Sequence, residues 1–274
     1  VYGLGGDDTF KQGSGVDTFD GGDGTDTLTS NWSSSLPDWW TDSHYAVVDL
    51  DQGKGYILGE SSLPFDTLIS IENYYQTGTN GINHMVIGND SDNILSAFLG
   101  DDIVDGGAGD DSLYGNDGND TISSGSGDDK LYGGDGRDTL ISSGSGNQLF
   151  DGGNGVDTFK VDTSIFSLSS DFVTLTDLSI GFHGSKDDSN HPLNDILVDI
   201  ENVEITGSNN AEVKGSFENN TIITGSGDDI IDGGSGDDII DGGKGSDTYI
   251  QQGNFDEWTI KFNQNWEWIN FSPE

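Results

Sequence analysis

A nine-residue period is the feature of this chain that most constrains its fold. Residues 106–114 read G-G-A-G-D-D-S-L-Y, and the units that follow repeat the same order of turn residues and one apolar residue. The pattern is G-G-x-G-x-D-x-U-x, with an apolar residue U at position eight. It describes three units from Gly3 to Thr29, nine from Thr79 to Lys160 and five from Thr206 to Ile250, and only Ser142 falls outside it. A disordered low-complexity segment would not keep this register, so the period predicts a folded repeat structure.

Each position of the unit has a physical role. Glycines at positions two and four allow turn conformations that residues with a Cβ resist, so consecutive carbonyls can point towards one spot. A carboxylate at position six adds to these carbonyls, and two stacked turns can then surround a cation with about six to eight oxygens, the ligands that Ca²⁺ prefers. Positions seven to nine predict a short strand with one inward side chain. That inward residue is apolar in all 17 units: Phe10, Phe19, Leu28, Val86, Leu95, Val104, Leu113, Ile122, Leu131, Leu140, Phe150, Phe159, Val213, Ile222, Ile231, Ile240 and Tyr249.

These units resemble the repeats-in-toxin (RTX) family, whose nonapeptides coil into a parallel β-roll. The resemblance implies an all-β solenoid, a parallel β-roll or β-helix, in which two nonapeptides form one coil and coils stack about 4.8 Å apart. Turns two units apart in sequence then become neighbours, and the family implies several Ca²⁺ ions held between such turns by position-six side chains and turn carbonyls. The candidate metal ligands are Asp8, Asp17, Asp26, Asp102, Asp111, Asp120, Asp129, Asp138, Asp157, Asp229, Asp238 and Asp247, with Asn93 and Asn220 as weaker ligands.

The repeat spacing also predicts which of these ligands pair. The strongest predicted pairs are Asp8 with Asp26, Asp102 with Asp120, Asp111 with Asp129, Asp120 with Asp138, Asp138 with Asp157, and Asp229 with Asp247. Asn93 with Asp111 and Asn220 with Asp238 form the weaker pairs. Asp26 ends a short block, so we expect it to serve fewer sites than Asp120. Position six carries no carboxylate at His84, Gln148 and Ala211, where we expect calcium to be missing or completed by water.

The charge of the chain fits this interpretation. There are 50 acidic residues against nine basic ones, which gives a net charge of −41, and glycine accounts for 43 of 274 residues. Like charges a few Å apart in adjacent turns cost on the order of a kcal/mol per pair or more, so closure of the roll should need cations and folding should be coupled to metal binding. The alternative, a disordered acidic tail that serves solubility, conflicts with the strict register and the 10% aromatic content.

Two non-repeat segments, residues 30–78 and 161–205, look like copies of one design. D-T-L-I-S-I-E-N-Y-Y at Asp66–Tyr75 matches D-I-L-V-D-I-E-N-V-E at Asp195–Glu204. We expect both inserts to be wider coils that continue the roll as an irregular parallel β-helix between the repeat blocks 1–29, 79–160 and 206–250. The I-E-N residues are predicted to be structural turn or ladder residues, with a ligand role as the alternative: Glu72, Asn73, Glu201 and Asn202.

The last 24 residues, 251–274, differ in character from the repeats. The segments W-T-I-K-F and W-E-W-I-N-F predict an amphipathic β-hairpin whose aromatic face covers the open edge of the last coil. The same aromatics could instead bind a partner or a glycan. The face consists of Trp258, Phe262, Trp266, Trp268 and Phe271.

Several function classes find no support in the sequence. The four histidines are scattered without an H-E-x-x-H motif, and no serine lies in a G-x-S-x-G motif, so an enzyme is not expected within these residues. Nine dispersed basic residues argue against nucleic-acid binding. The chain lacks cysteine, which excludes disulfides and thiolate metal sites. It also lacks a long apolar segment, so no membrane span is predicted, and the sequence reads as a piece of a longer protein.

Two hypotheses about function follow from the family resemblance and the aromatic residues. In the first, the chain is a calcium-binding module of a larger Gram-negative protein, which type I secretion machinery exports unfolded and which folds on meeting calcium outside the cell. In the second, the array is a calcium-dependent carbohydrate- or surface-binding module of an adhesin or another cell-surface protein. The candidate ligand-binding residues for the second hypothesis are Trp32, Trp39, Trp40 and Tyr45.

Overall fold

A computed structural model of the chain describes residues 1–12, 16–30, 46–57, 66–78, 81–165, 173–185 and 194–250. These residues form an all-β solenoid of two 13-stranded sheets, and successive repeat strands alternate between the sheets. The only helical element in these ranges is a single 3₁₀ turn, Thr163–Ile165. The predicted β-roll class is therefore confirmed. The sequence-predicted ligand-binding residues Trp32, Trp39, Trp40 and Tyr45, and the predicted cap at 251–274, lie outside the described residues.

The strands are numbered along the chain, and their spatial order differs from that numbering. The first sheet contains, from one end to the other, β1 (Tyr2–Gly5), β3 (Thr18–Asp23), β7 (Asp66–Ile69), β6 (Lys54–Ile57), β5 (Ala46–Asp49), β9 (His84–Ile87), β11 (Ile103–Asp105), β13 (Thr121–Ser123), β15 (Thr139–Ser142), β17 (Thr158–Asp162), β21 (Asn202–Thr206), β23 (Thr221–Ile223) and β25 (Ile239–Asp241). The second sheet contains, in the same direction, β2 (Thr9–Lys11), β4 (Thr27–Ser30), β8 (Asn73–Gln76), β10 (Ile94–Leu99), β12 (Ser112–Asp117), β14 (Lys130–Gly136), β16 (Leu149–Gly155), β20 (Asn194–Val198), β19 (Phe182–Ser185), β18 (Val173–Asp177), β22 (Asn210–Lys214), β24 (Ile230–Asp232) and β26 (Thr248–Ile250).

The strand register shows that two nonapeptides make one coil. In parallel pairs of repeat strands each residue lies opposite the residue 18 positions later, as Leu95 lies opposite Leu113. In the repeat pairs that span Ser142 the offset is 19, so that Leu131 lies opposite Phe150, and it returns to 18 in the last repeat block, where Val213 lies opposite Ile231. Ser142 itself lengthens β15 and is buried, so the one residue outside the nonapeptide register is absorbed as an extra strand position.

The core is a continuous stack of the position-eight side chains. Of the 17 predicted inward residues, 15 are buried, and they belong to one hydrophobic cluster contributed by both sheets. Ile240 and Tyr249 are only partly buried, and they belong to the last coil of the described residues. Adjacent aromatic residues interlock inside the roll, as Phe150 and Phe159 do with ring centroids 5.0 Å apart.

The inserts differ from the wholly parallel coils that the sequence predicts. In the first insert β5 pairs antiparallel with β6, and β6 pairs antiparallel with β7. In the second insert β18 and β19 are antiparallel, as are β19 and β20. The outer strands of each insert remain parallel to the flanking coils, β7 to β3 and β5 to β9 in the first copy. Each insert thus adds two strands to one sheet while the other sheet continues unchanged.

The two copies add these strands to opposite sheets. β5 and β6 extend the first sheet, whereas β18 and β19 extend the second. Each repeat unit moves the chain to the other sheet, and nine units, an odd number, separate the copies. The second copy therefore begins on the sheet opposite to the first, and the duplicated design is inverted across the roll.

Candidate metal centres along the two turn edges

Position-six side chains, together with two residues from each insert, form two rows, one at each edge of the roll where turns lead into the strands of one sheet. The first row precedes the first sheet and contains Asp17, Asp66, His84, Asp102, Asp120, Asp138, Asp157, Glu201, Asn220 and Asp238. The second row precedes the second sheet and contains Asp8, Asp26, Glu72, Asn93, Asp111, Asp129, Gln148, Asp195, Ala211, Asp229 and Asp247.

One recurrent hydrogen bond joins neighbours within a row. The backbone N–H of Asp102 donates to Oδ1 of Asp120 at 2.8 Å, and the N–H of Asp120 donates to Oδ1 of Asp138 at 2.8 Å. The same bond, 2.8–3.1 Å long, joins every other pair predicted from the repeat spacing: Asp8 with Asp26, Asn93 with Asp111, Asp111 with Asp129, Asp138 with Asp157, Asn220 with Asp238, and Asp229 with Asp247.

At ten positions along the two rows the second carboxylate oxygen, Oδ2, is buried without a hydrogen-bond partner among the described residues. A buried carboxylate oxygen with no hydrogen bond is costly, so a row of them indicates that a cation belongs there. Among the described residues the buried Oδ2 atoms that lack a hydrogen-bond partner belong to Asp8, Asp26, Asp102, Asp111, Asp120, Asp129, Asp138, Asp157, Asp195 and Asp229.

At most of these sites glycine at position one creates the space into which Oδ2 points. A Cβ built on Gly133 would lie closer than 3.0 Å both to Oδ2 of Asp138 and to the carbonyl oxygen of Gly152 in the next coil. Gly115 shows the same pair of neighbours, Oδ2 of Asp120 and the carbonyl oxygen of Gly133. Each site with a position-one glycine thus brings one carboxylate oxygen and one main-chain oxygen from the next coil to the same side-chain-free space, whereas Ala97, Ser124 and Thr224 hold position one before Asp102, Asp129 and Asp229.

Burial strongly affects the ionisation of these carboxyl groups. Desolvation, together with the charges of neighbouring aspartates, raises the pKa of Asp120 to about 8 and that of Asp111 to about 7, although a backbone N–H bond opposes each shift. Desolvation also raises the pKa of Asp129 and of Asp138 to about 6. Without a cation the folded row therefore disfavours negative charge at neutral pH, and a divalent ion would restore it.

The available ligands fit calcium. The described residues contain no group of three or more His, Cys, Asp or Glu side chains that could hold a metal by themselves. A cation in these rows would therefore need main-chain oxygens, which the turns supply next to the carboxylates. An all-oxygen set of carboxylates and carbonyls is typical of Ca²⁺ rather than of zinc or copper.

The three position-six residues that are neither aspartate nor asparagine differ from one another. His84 replaces the carboxylate with an imidazole whose Nδ1 lies 3.3 Å from Oδ1 of Asp102. Gln148 turns its amide towards the preceding coil and donates to the carbonyl of Gly127 at 3.2 Å. Ala211 offers no side-chain oxygen, and only its N–H joins the row. The expectation of missing or water-completed calcium at these positions stays a prediction.

The structure adds row members that the nonapeptide pattern does not identify as ligands. Asp66 accepts the N–H of Asp17 at 2.8 Å, and Asp195 accepts the N–H of Gln148 at 2.9 Å. Their segments, D-T-L-I and D-I-L-V, preserve positions six to nine of the repeat without its glycine turn. That partial match is the signal by which they could have been found.

The environments of Asp66 and Asp195 differ between the two copies. Oδ2 of Asp66 accepts a 2.5 Å bond from the side-chain amide of Gln12, whereas Oδ2 of Asp195 is buried without a partner among the described residues. Desolvation raises the pKa of Asp195 to about 7. Only the second copy therefore leaves a carboxylate oxygen available at this point of the row.

The sequence predicts that Asp26 ends a short block of repeats and has a neighbour on one side only, but it lies inside the second row. Its Oδ1 accepts the N–H of Asp8 at 2.8 Å, and its own N–H donates to Oε2 of Glu72 at 2.7 Å. Asp26 is fully buried and has a neighbour on both sides. The end of the nonapeptide block at Thr29 is therefore not an end of the carboxylate row.

Comparison with known proteins supports the repeat assignment. The family model described as RTX calcium-binding nonapeptide repeat (4 copies) matches residues 1–32, 77–113, 105–140, 114–149 and 215–249, about half of the chain. No curated protein matches the sequence. Within the described ranges no helix is long and apolar enough to cross a membrane. With its repeats matched, its β-roll formed and its turn carboxylates aligned in two rows, the chain belongs to the RTX calcium-binding nonapeptide repeat family.

Proposed function

We propose that this module binds several calcium ions along its two rows, folds when it meets calcium outside the cell, and thereby supports type I secretion and the stability of a larger exported protein. The observation that carries the proposal is the alignment of ten buried, unpartnered Oδ2 atoms in adjacent coils. The RTX repeats themselves form a structural, non-catalytic fold, so this role is one of assembly rather than catalysis.

Electrostatics couples folding to calcium in this proposal. Burial raises the pKa of Asp120 most, and the charges of its neighbours in the first row, Asp102 and Asp138, raise that pKa further. Folding without a cation would either bury these charges close together or require each carboxyl group to take up a proton. Calcium removes both penalties because it supplies positive charge between the turns, and its binding free energy then becomes folding free energy.

Export gives this coupling a use. RTX repeats are typical of secreted Gram-negative proteins. A chain with a net charge of −41 and a core of single apolar residues stays extended where calcium is scarce, as it is in the cytosol. Folding outside the cell would then oppose backward movement through the export channel. It would also form a stable β-roll next to the rest of the exported protein.

Circular dichroism of the 274-residue chain tests the coupling directly. We expect little β-structure after exhaustive chelation and a β-rich spectrum in millimolar Ca²⁺. Mg²⁺ is the matched control, because it demands octahedral geometry and retains its water, and it should substitute poorly. A spectrum that is the same with chelator and with calcium would refute the proposal.

A second candidate function, a calcium-dependent carbohydrate- or surface-binding module, is supported by an outward aromatic pair. Tyr114 of β12 and Tyr132 of β14 stack with centroids 4.9 Å apart and an interplanar angle of 7°. Both project away from the core, since the preceding residues Leu113 and Leu131 face inward. Glycan-array binding with and without calcium separates the two functions: calcium-dependent folding with no bound glycan supports the secretion role alone.

A further inference from the structure

The I-E-N turns of the two inserts reproduce the row geometry by a different chain path. A regular unit places six residues between one strand and the next position seven, whereas only Ser70, Ile71 and Glu72 separate β7 from β8. Despite the shorter turn, Oε2 of Glu72 accepts the N–H of Asp26 at 2.7 Å. In the second copy Oε2 of Glu201 accepts the N–H of Asp157 at 2.7 Å. The extra methylene of glutamate spans the distance that a longer turn would have covered for aspartate.

The main-chain oxygens of these turns also occupy the regular positions. A Cβ on Gly21 would lie closer than 3.0 Å to Oδ2 of Asp26 and to the carbonyl oxygen of Ser70. A Cβ on Gly152 would likewise lie closer than 3.0 Å to Oδ2 of Asp157 and to the carbonyl oxygen of Asp199. In the regular coils the same space receives the aspartate Oδ2 and the position-one carbonyl of the next coil.

The backbone of the two turns is matched residue by residue. Ser70 and Asp199, two positions before the glutamates, have left-handed φ values of 49° and 48°. This conformation is uncommon for a residue other than glycine and indicates that the direction of the backbone is specified.

Side-chain and main-chain bonds fix each turn to the following coil. The amide of Asn93 donates to the carbonyl of Glu72 at 2.6 Å, and the amide of Asn220 donates to the carbonyl of Glu201 at 2.6 Å. The asparagines of the I-E-N motifs in turn accept the N–H groups of Ile94 and Thr221, both at 2.7 Å. Both turns are therefore held against the neighbouring coil in the same way.

Each turn faces a buried carboxylate oxygen that has no other partner. Asp26 and Asp157 are fully buried, and neither Oδ2 finds a hydrogen bond in the described part of the chain. Glu72 and Glu201 lie between residues 33 and 76 and between 150 and 214, where the nonapeptide family model does not match. The repeat motif therefore does not assign these turns to calcium, although the polar atoms around them are those of the regular sites.

We propose that Glu72 and Glu201 are calcium ligands, each completing a hybrid site with the preceding aspartate and the carbonyl of Ser70 or Asp199. The two hybrid sites would carry the row of ions across the entry into each insert, once on each edge of the roll because the copies are inverted. This inference rests on the proposed calcium binding of the regular coils. It adds two sites that contain no glycine-rich turn on one side.

Glutamine substitution separates ligand chemistry from hydrogen bonding. Glu72→Gln and Glu201→Gln keep an oxygen acceptor at the same reach for the N–H of the preceding aspartate but remove the charge. We expect each single variant to bind one calcium ion fewer, or to bind one ion with a clearly weakened constant, and the double variant to show the effect twice. Equilibrium dialysis and native mass spectrometry of the full chain give the number of ions bound.

Glu204→Gln is the matched control. Glu204 lies on the same strand as Asn202 but pairs outward with Lys160 at 2.6 Å, so its loss changes the net charge equally without touching a turn. The control should bind the wild-type number of ions. Wild-type calcium number and affinity in either single Glu→Gln variant overturns the assignment for that turn.

Glu72→Asp guards against a purely structural explanation. Aspartate keeps the charge but is one methylene shorter, so a hydrogen-bonding role predicts that Glu72→Asp is more harmful than Glu72→Gln. A ligand role predicts that Glu72→Gln also loses calcium affinity, because it keeps the reach of glutamate but not its charge, so the calcium affinity of Glu72→Gln decides between the two roles. Failure of the wild-type chain to bind calcium would refute the proposed function itself, whereas wild-type binding with unaffected Gln variants refutes only the hybrid sites.

Discussion

The regular roll from β9 to β17 and the two inserts solve the same electrostatic problem with different chain paths. In the regular roll every coil presents a six-residue turn, and Asp102, Asp120 and Asp138 follow one another at an interval of 18 residues. At the inserts the interval grows to 46 residues between Asp26 and Glu72 and to 44 between Asp157 and Glu201, yet the bonds that continue the row are 2.7 Å long in both.

The comparison indicates that the position of the carboxylate is maintained more strictly than the glycine turn that supplies it. The antiparallel strands of each insert widen one sheet only, and the opposite sheet keeps its parallel ladder. A row can therefore continue past an insert on the edge where the coil stays short. Aspartate serves where the turn is long, and glutamate serves where it is short.

Alanine substitutions of Asp120 and Asp26 are expected to give the largest effects and test this equivalence. Each aspartate has a carboxylate neighbour on both sides, so Asp120→Ala and Asp26→Ala should each damage two sites and raise the calcium midpoint of folding several-fold. Asp117→Ala, an exposed position-three residue, is the control. Calcium-titrated circular dichroism supplies the midpoints. A much smaller shift for Asp26→Ala would show that the row breaks at the first insert.

Alanine at position one should have the next largest effect, and it compares a regular turn with an insert junction. Gly133→Ala and Gly21→Ala both place a Cβ closer than 3.0 Å to an aspartate Oδ2 and a backbone carbonyl. Overpacking of this kind costs about 1–3 kcal/mol of folding free energy, and displacement of the oxygens should also weaken calcium binding. Gly5→Ala, whose nearest contact would be 3.8 Å, is the control. Thermal unfolding in saturating calcium measures the loss; equal melting temperatures for all three variants would contradict the crowded geometry.

The pH dependence of the regular roll should change sign with calcium. In calcium-free buffer the folded state holds protons on Asp120 and Asp111 up to a pKa of about 8 and about 7, whereas the unfolded chain loses them near pH 4. Between these limits the folded state binds more protons, so stability falls as pH rises, by up to about 1.4 kcal/mol per pH unit per group. Acidification from pH 7 to pH 5 should therefore promote folding in chelator.

With saturating calcium the same acidification should destabilise the roll, because protons then compete with the ion for the carboxylates. Asp120→Asn, which mimics the protonated group, should reduce the slope measured in chelator. Denaturant titrations at pH 5, 6 and 7 with and without calcium supply the data. Parallel trends under the two conditions would show that the buried carboxyl groups are not where calcium acts.

Much of the regular roll could be predicted from the sequence. In each nonapeptide the residue at position eight determines the core, and the residue at position six determines the rows of carboxylates at the turns. Position eight correctly identified buried residues from Phe10 to Ile231, and the two-unit spacing placed Asp111 against Asp129. The inserts could be predicted only in part. Short alternating strands such as β5 and β6 carry no signal for their direction, so their antiparallel pairing depends on tertiary contacts.

The role of the I-E-N turn was harder to predict for a local reason. Glu72 lies in a turn that lacks glycine, so the glycine-rich nonapeptide turn, which identifies the other proposed calcium ligands, is absent there. The inversion of the two copies, by contrast, follows from counting: nine repeat units between them are an odd number, and each unit changes sheet. The repeat count alone is therefore enough to predict that part of the architecture.

The smallest expected effect distinguishes the two insert copies from each other. Ser70 and Asp199 share a left-handed backbone, but serine adopts it less readily than aspartate does. Ser70→Gly should relieve strain and stabilise the calcium-bound roll by at most about 1 kcal/mol, with part of the gain lost to the greater freedom of glycine in the unfolded chain. Asp199→Gly should give no gain, because it also removes a negative charge close to Asp157 that would attract the calcium ion in the hybrid site. Asp199→Asn isolates that charge, since asparagine tolerates the left-handed region. Melting temperatures in saturating calcium compare the three variants, and equal stabilisation by Ser70→Gly and Asp199→Gly would mean that the Asp199 charge does not reach the hybrid site.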